Sequence, residues 1–255
     1  MIDGWAIRIV WLRYFAIYRK DIRFGLTTTF VEPILYLLSF GYGLGTMVGA
    51  IEVDGIALTY RQFIFAGIAA QTLLFQGFFE AAYGSFVRMY YQRIYQAMAM
   101  TPITLSEVLW GELLWDATKG TIAATAVLLI GAVTGDFRPL GALAALPVAF
   151  LCAFLFGALG LLAAAVSASI DEISYPQFLF IFPMFLFCGV FFPLSQLPDW
   201  LQTAVWALPL TPVVSLLRSL TLGTPVYWRA VPILATWLVG TVWYARRRML
   251  LRLVK

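Results

Sequence analysis

The chain of 255 residues contains no histidine and only two cysteines, Cys152 and Cys188. Without histidine, the commonest general base and the commonest metal ligand are missing. Both cysteines lie inside apolar runs and read as small buried hydrophobes. A disulfide at that depth is disfavoured, and a zinc site would lack ligands, so no metal is expected. Charge is scarce as well: 12% of residues are charged and 62% are hydrophobic, against about 25% charged in an ordinary soluble domain. So few polar groups cannot cover a surface in water, and the long apolar runs imply an integral membrane protein. There is no Gly-x-x-x-x-Gly-Lys-Ser/Thr phosphate loop, no His–carboxylate metal spacing and no Gly-x-Ser-x-Gly elbow. No catalytic constellation is therefore expected, and the chain cannot cradle ATP itself. The net charge of +4 sits mostly at the two ends. That placement reflects membrane orientation rather than nucleic-acid binding.

What the chain does have is a series of apolar segments of membrane length. Runs at 26–48, 62–86, 108–133, 140–167, 174–193 and 226–245 each approach or exceed the ~20 residues that cross a ~30 Å core at ~1.5 Å per residue. The expected fold class is thus all-α, with six transmembrane helices. The fourth run is rich in small residues (GALGLLAAAVSAS) and suits close helix packing. Residues 2–24 carry Arg8, Arg13, Arg19, Lys20 and Arg23, with Trp5, Ile9, Leu12, Phe15 and Ala16 at spacings of three and four. That pattern predicts an amphipathic helix in the membrane interface; the alternative is a simple basic flank of the first span. Interleaved charges and the lack of a cleavage site argue against a signal peptide. Prolines 193, 198, 209 and 212 break the stretch 191–225. It predicts a re-entrant helical hairpin over 195–223, with a short seventh span as the rival.

With the N-terminus inside, one side carries twelve basic residues: Arg8, Arg13, Arg19, Lys20, Arg23, Arg88, Arg93, Arg246, Arg247, Arg248, Arg252 and Lys255. The other side has four, Arg61, Arg138, Arg218 and Arg229. This bias places both termini and the break at 88–107 in the cytoplasm and the hairpin outside. Within the spans, Glu112, Asp116 and Lys119 share one helix face. The spacing allows an Asp116–Lys119 pair along the helix. Either a structural ion pair or a gating role fits, since intramembrane charge is costly. Glu32 and Glu80 are lone carboxylates that need partners elsewhere; a proton relay would lack companions. Phe178, Phe180, Phe182, Phe185, Phe187, Phe191 and Phe192 crowd the fifth run. They read as core or lipid contact, or as part of an aromatic-lined path.

The order of these elements resembles the ABC-2 type transporter permeases. The stretches YRQFIFAGIAAQTLLFQGFFEAAYGSFVRM (60–89), MAMTPITLSEVLWGELLWDATKG (98–120), CGVFFPLSQLPDWLQ (188–202) and LPLTPVVSLLRSL (208–220) look like the lipooligosaccharide-export branch typified by NodJ. The resemblance spans nearly the whole chain, 1–255, as one transmembrane domain. It implies a homodimer in the bacterial inner membrane, docked on two copies of a separate ABC ATPase that binds ATP and Mg. Residues 89–101 would then be the coupling helix, with Arg88, Tyr91, Arg93, Ile94, Tyr95, Gln96 and Met98 as its contact set. The path between protomers would be lined by Phe178, Phe182, Phe185, Phe191, Phe75, Phe79 and Tyr36. The cargo would be an amphipathic glycolipid or lipid-linked oligosaccharide, or else a hydrophobic drug or secondary metabolite. A membrane-embedded lipid enzyme and a passive channel or assembly factor are the rival classes. Against the first stands the missing catalytic motif, and against the second a coupling-like segment with no other use.

Overall fold

The computed structural model describes residues 3–20, 22–53 and 55–253, without the side chains of Phe24, Leu26 and Thr28. Lys255, Asp21 and the Ile2 end of the expected interfacial helix lie outside the described residues. The chain is built almost wholly of helices: α1 Gly4–Lys20, α2 Ile22–Tyr36, α3 Tyr60–Phe79, α4 Ile94–Ala99, α5 Leu105–Val133, α6 Pro139–Val166, α7 Ser174–Pro176, α8 Phe182–Phe187, α9 Asp199–Trp206, α10 Leu210–Leu222 and α11 Ala230–Leu253. A small antiparallel hairpin, β1 Ile51–Val53 and β2 Ile56–Leu58, joins the first two apolar runs, pairing Ile51 with Leu58. It is an exception to the all-α expectation.

Two helices start where the sequence supplies a reciprocal cap. Thr59 and Gln62 form a capping box at α3, and Thr104 and Glu107 form one at α5, each satisfying two otherwise orphaned backbone donors. Glu107 also accepts from the Asp3 backbone N–H at 2.7 Å, fastening the start of α1 to the start of α5.

Helices α3, α5 and α6 form the centre of the bundle. The α3 helix runs on through two π-helical turns, Glu80–Gly84 and Val87–Tyr91, as one span-length element Tyr60–Tyr91. Contact at the centre is set by glycine. A Cβ at Gly77 of α3 would lie 3.0 Å from the Ala153 carbonyl oxygen and the Phe156 Cβ of α6. One at Gly120 of α5 would lie 3.0 Å from the Ala153 Cβ. Small residues let the three backbones approach closely.

Three described helices are long and apolar enough to cross a membrane: Tyr60–Tyr91, Leu105–Val133 and Pro139–Val166. The pair α9 and α10, bent by 87°, would add a fourth if read as one broken span. The remaining expected spans take other forms. The first is α2 continued by a π-helical segment, Leu37–Gly43. The fifth is interrupted: α7, a π turn Gln177–Ile181, and α8, which stops at Phe187 before Gly189 turns at φ 78°. The last begins at Ala230 rather than 226 and extends to Leu253. Its Arg252 guanidinium donates to the carbonyls of Ala164 (2.6 Å) and Ser167 (2.5 Å), capping the end of α6.

The α1 helix has two apolar faces. Ala6, Val10 and Tyr14 are buried, and Trp11 donates to Thr118 Oγ1 on α5 at 3.0 Å. Trp115 of α5 meets the rings of Trp11, Tyr14, Phe15 and Tyr18. Trp5, Leu12 and Phe15 stay exposed, a surface suited to the headgroup–acyl boundary. Arg218 of α10, counted on the outer side by the charge bias, is buried within the bundle. Its guanidinium lies 3.7 Å from the centre of the Phe63 ring and donates to the Gly189 carbonyl at 2.7 Å.

Candidate functional site

Two arrangements stand out: a polar network at the basic end and a run of aromatic rings beside it.

The network is centred on Glu112 of α5, fully buried. Ser85 donates to Glu112 Oε1 at 2.9 Å, and the Arg88 guanidinium pairs with the same oxygen at 2.6 Å. The Tyr95 hydroxyl of α4 donates to Glu112 Oε2. Lys119 Nζ pairs with Glu80 Oε2 at 2.5 Å, and Arg88 Nη1 lies 3.6 Å from Glu80 Oε1. A buried carboxylate needs such partners, since an unpaired charge away from water is costly.

One expectation is corrected here and another borne out. Lys119 does not pair with Asp116 along the helix; it reaches across to Glu80 on the π turn of the α3 element. Glu80 thereby has the positive partner on another helix that a lone intramembrane carboxylate was expected to need. Asp116 is buried, and neither of its oxygens is hydrogen-bonded among the described residues. The i, i+3 spacing allowed the intrahelical pair, but the tight contact of α5 with α6 puts Asp116 against Gly157. Glu32 stands apart from this network, beside Tyr36 and Phe40 in a groove of about 610 Å³.

The break at 88–107 divides into inward and outward residues. Tyr95 and Arg88 face the bundle, so they hold the segment in place rather than offer it to a partner. Tyr91, Arg93 and Gln96 are exposed, and Ile94 and Met98 are half-buried. Tyr90 and Met100, which the sequence reading passed over, are exposed on the same segment. Arg93 turns the chain into α4 with a left-handed backbone, φ 51° and ψ 30°, a conformation disfavoured for a residue with a Cβ.

All seven residues of the expected aromatic path are brought together. Ring centroids are 5.2 Å apart for Phe178–Phe182, 6.1 Å for Phe182–Phe75, 4.9 Å for Phe75–Phe185 and 5.0 Å for Phe185–Phe191. The run continues through Phe40, 5.1 Å from Phe191, to Tyr36 at 5.9 Å. A branch leads from Phe75 to Phe79 (5.4 Å) and on to Tyr83 (6.2 Å). Tyr83 donates to Gln177 Oε1 at 2.8 Å, joining two π turns. These separations suit offset and edge contacts between aromatic faces. Phe40 and Tyr83 were missed by the sequence reading, yet each lies four residues after an aromatic residue that was chosen. The run crosses every π-helical segment but the one at Val87–Tyr91. Such turns recur at functional sites because the extra residue re-aims side chains.

Among the described residues no group of three or more Cys, Asp or Glu is placed to hold a metal ion.

Residues 6–222 match the family model described as ABC-2 type transporter. The chain is 34% identical to Nodulation protein J of Rhizobium meliloti (strain 1021) over 223 residues, covering 88% of this chain and 84% of that one. It is 36% identical to Nodulation protein J of Rhizobium leguminosarum bv. trifolii over 217 residues, 85% of this chain and 81% of the relative. Similarity extends to Daunorubicin resistance ABC transporter permease protein DrrB1 of Streptomyces coeruleorubidus, 24% identical over 203 residues, 77% of this chain and 68% of the relative. The chain is thus a member of the ABC-2 type transporter family, a membrane permease of an ABC transporter.

Proposed function

We propose that this chain is the membrane half of an exporter for an amphipathic glycolipid or lipid-linked oligosaccharide, working as a homodimer on two copies of a separate ABC ATPase. That partner would bind ATP and Mg; this chain binds neither. The whole chain acts as one transmembrane domain of six passes in a bacterial inner membrane, with both termini cytoplasmic. The break at 89–101 is its coupling segment, and the 195–223 hairpin faces outward.

The observation that carries this reading is the continuous aromatic run from Phe178 to Tyr36. Aromatic faces stack on sugar rings and slide against acyl chains without binding either tightly. The resemblance to the lipooligosaccharide-export branch favours such a cargo, and the relatives named Nodulation protein J accord with that resemblance. The polar network supplies the link to the ATPase. Movement of α4 is passed through Tyr95 to Glu112, then through Arg88 to Glu80, which follows Phe79 in the chain. Nucleotide binding and hydrolysis then favour different states of the dimer.

A second reading has one observation behind it. Glu32 makes no ion pair among the described residues and shares a groove with Tyr36 and Phe40. A carboxylate beside rings suits a cationic amphiphile, in line with the daunorubicin-resistance relative. The test is ATP hydrolysis by the chain reconstituted with its ATPase, with lipooligosaccharide or a cationic dye added. Stimulation by the glycolipid supports the first reading. Stimulation by the dye alone, lost in Glu32→Gln, replaces it with the second. No association with any ATPase defeats both.

A further inference from the structure

Between α1, the start of α2, the end of the α3 element and α5 lies an open cleft of about 660 Å³. That volume is in the range of a small-molecule site. Among the described residues its wall carries Arg13, Arg88 and Lys119 and one carboxylate, Glu80. Lys119 and Arg88 already have carboxylate partners. Arg13 has none within ion-pair distance among the described residues, and its Nη1 is buried without a hydrogen-bond acceptor. The hydroxyls of Tyr14 and Tyr18, on residues of the same wall, are likewise buried and without a hydrogen-bond partner among the described residues. Tyr14 is only 4% exposed. Buried polar groups are normally satisfied, and leaving one unmade is costly. Three residues that line this cleft thus each hold a donor with no acceptor among the described residues.

We infer that the cleft seats a phosphate-type oxyanion presented by an acidic membrane lipid. Arg13 would supply the charge-assisted fork and Tyr14 and Tyr18 the neutral donors. The surroundings favour the lipid as the source. The cleft opens beside a helix whose outward face holds Trp5, Leu12 and Phe15, and whose basic residues suit an anionic leaflet. The seat also borders the Glu80–Lys119 and Arg88 pairs, so an occupant adds negative charge next to the network that ties α4 to the bundle. This inference does not depend on which cargo is carried.

The test is equilibrium binding of fluorescent phosphatidylglycerol to the full-length chain in neutral detergent, with phosphatidylcholine as the uncharged comparison and inorganic phosphate as competitor. Arg13→Gln is expected to weaken phosphatidylglycerol binding about tenfold or more, the loss of a charge-assisted hydrogen bond. Arg8→Gln removes the same charge from an exposed position on the same helix and should change it by less than about twofold, as a screened surface charge does. Tyr14→Phe with Tyr18→Phe keeps the rings against Trp115 and should weaken binding about three- to tenfold. Equal losses in Arg13→Gln and Arg8→Gln would overturn the site in favour of diffuse attraction. So would equal affinity for the two lipids. If inorganic phosphate displaces phosphatidylglycerol fully, with no advantage of the lipid over the free ion, the lipid assignment fails. Should Arg13→Gln not fold, the tyrosine double variant alone decides, since it leaves charge and packing intact.

Discussion

Tyr95→Phe tests how the short helix α4 is held. The Tyr95 side chain is fully buried, and its hydroxyl is the donor that joins α4 to the Glu112 carboxylate. Phenylalanine keeps the ring in place and deletes only that bond. A hydrogen bond to a charged group contributes about 1.5–3 kcal/mol, and Glu112 retains Ser85 and Arg88 as partners. The loss should therefore fall on α4 rather than on the bundle. Undocking of residues 92–101 should become about 10- to 150-fold more frequent at ~1.4 kcal/mol per decade. Amide hydrogen exchange should accelerate by that factor in this segment and stay unchanged in α5 and α6. With the ATPase present, basal hydrolysis should persist while its response to substrate falls. The partner change Glu112→Gln and the double variant complete a cycle that isolates the pair. If the two single effects simply add, or if exchange in 92–101 matches the native chain, the hydroxyl is not the tether and the proposed route from α4 to the bundle is wrong.

Four further outcomes follow from named contacts. Glu80→Gln leaves Lys119 and part of Arg88 without a counter-charge at a site where the Lys119 and Glu80 side chains are 16% and 22% exposed, and should destabilise the chain by about 1–3 kcal/mol; Glu80→Gln with Lys119→Met should recover much of that in a detergent melting experiment, and failure to recover would mean the pair is dispensable. Phe185→Ala empties a buried position in the aromatic run and should cost about 3–5 kcal/mol, whereas Phe178→Ala, at 61% exposed, should leave the melting temperature nearly unchanged yet lower substrate-stimulated ATP hydrolysis; equal effects on basal and stimulated rates would reduce the run to packing. Arg93→Glu should impair recovery of the ATPase complex without affecting membrane insertion, and normal co-purification and transport would remove that residue from the docking surface. Gly120→Val should push α5 away from Ala153 and destabilise by about 1–3 kcal/mol; a neutral result in the same melt would show that the α5–α6 contact yields freely.

Some of this was open to reading along the chain. Thr59 with Gln62 and Thr104 with Glu107 sit three residues apart before apolar runs, and both became capping boxes. Tyr36, Phe75, Phe79 and the phenylalanines of the fifth run were chosen by type and region, and they meet. The ion pairs were harder. Asp116 and Lys119 are near in sequence, so a local rule paired them, while the acceptor that Lys119 reaches is 39 positions away. The same holds for Arg88 and Tyr95, which the family resemblance put in a contact set for a partner. Only the fold turns them inward, onto Glu112.

The sequence by itself determined that this chain belongs in a membrane, because its scarcity of charge and its long apolar runs leave no other way to solvate it. It also determined its family, through stretches whose residue order matches over most of the chain. The tertiary structure decided which carboxylate meets which cation, which rings touch, and which donors are left facing a cleft. Those choices depend on where the π turns re-aim side chains and on how closely glycine lets α3, α5 and α6 approach. Neither is written in any local pattern, because each contact joins residues from different helices and its energy exists only once the helices have packed.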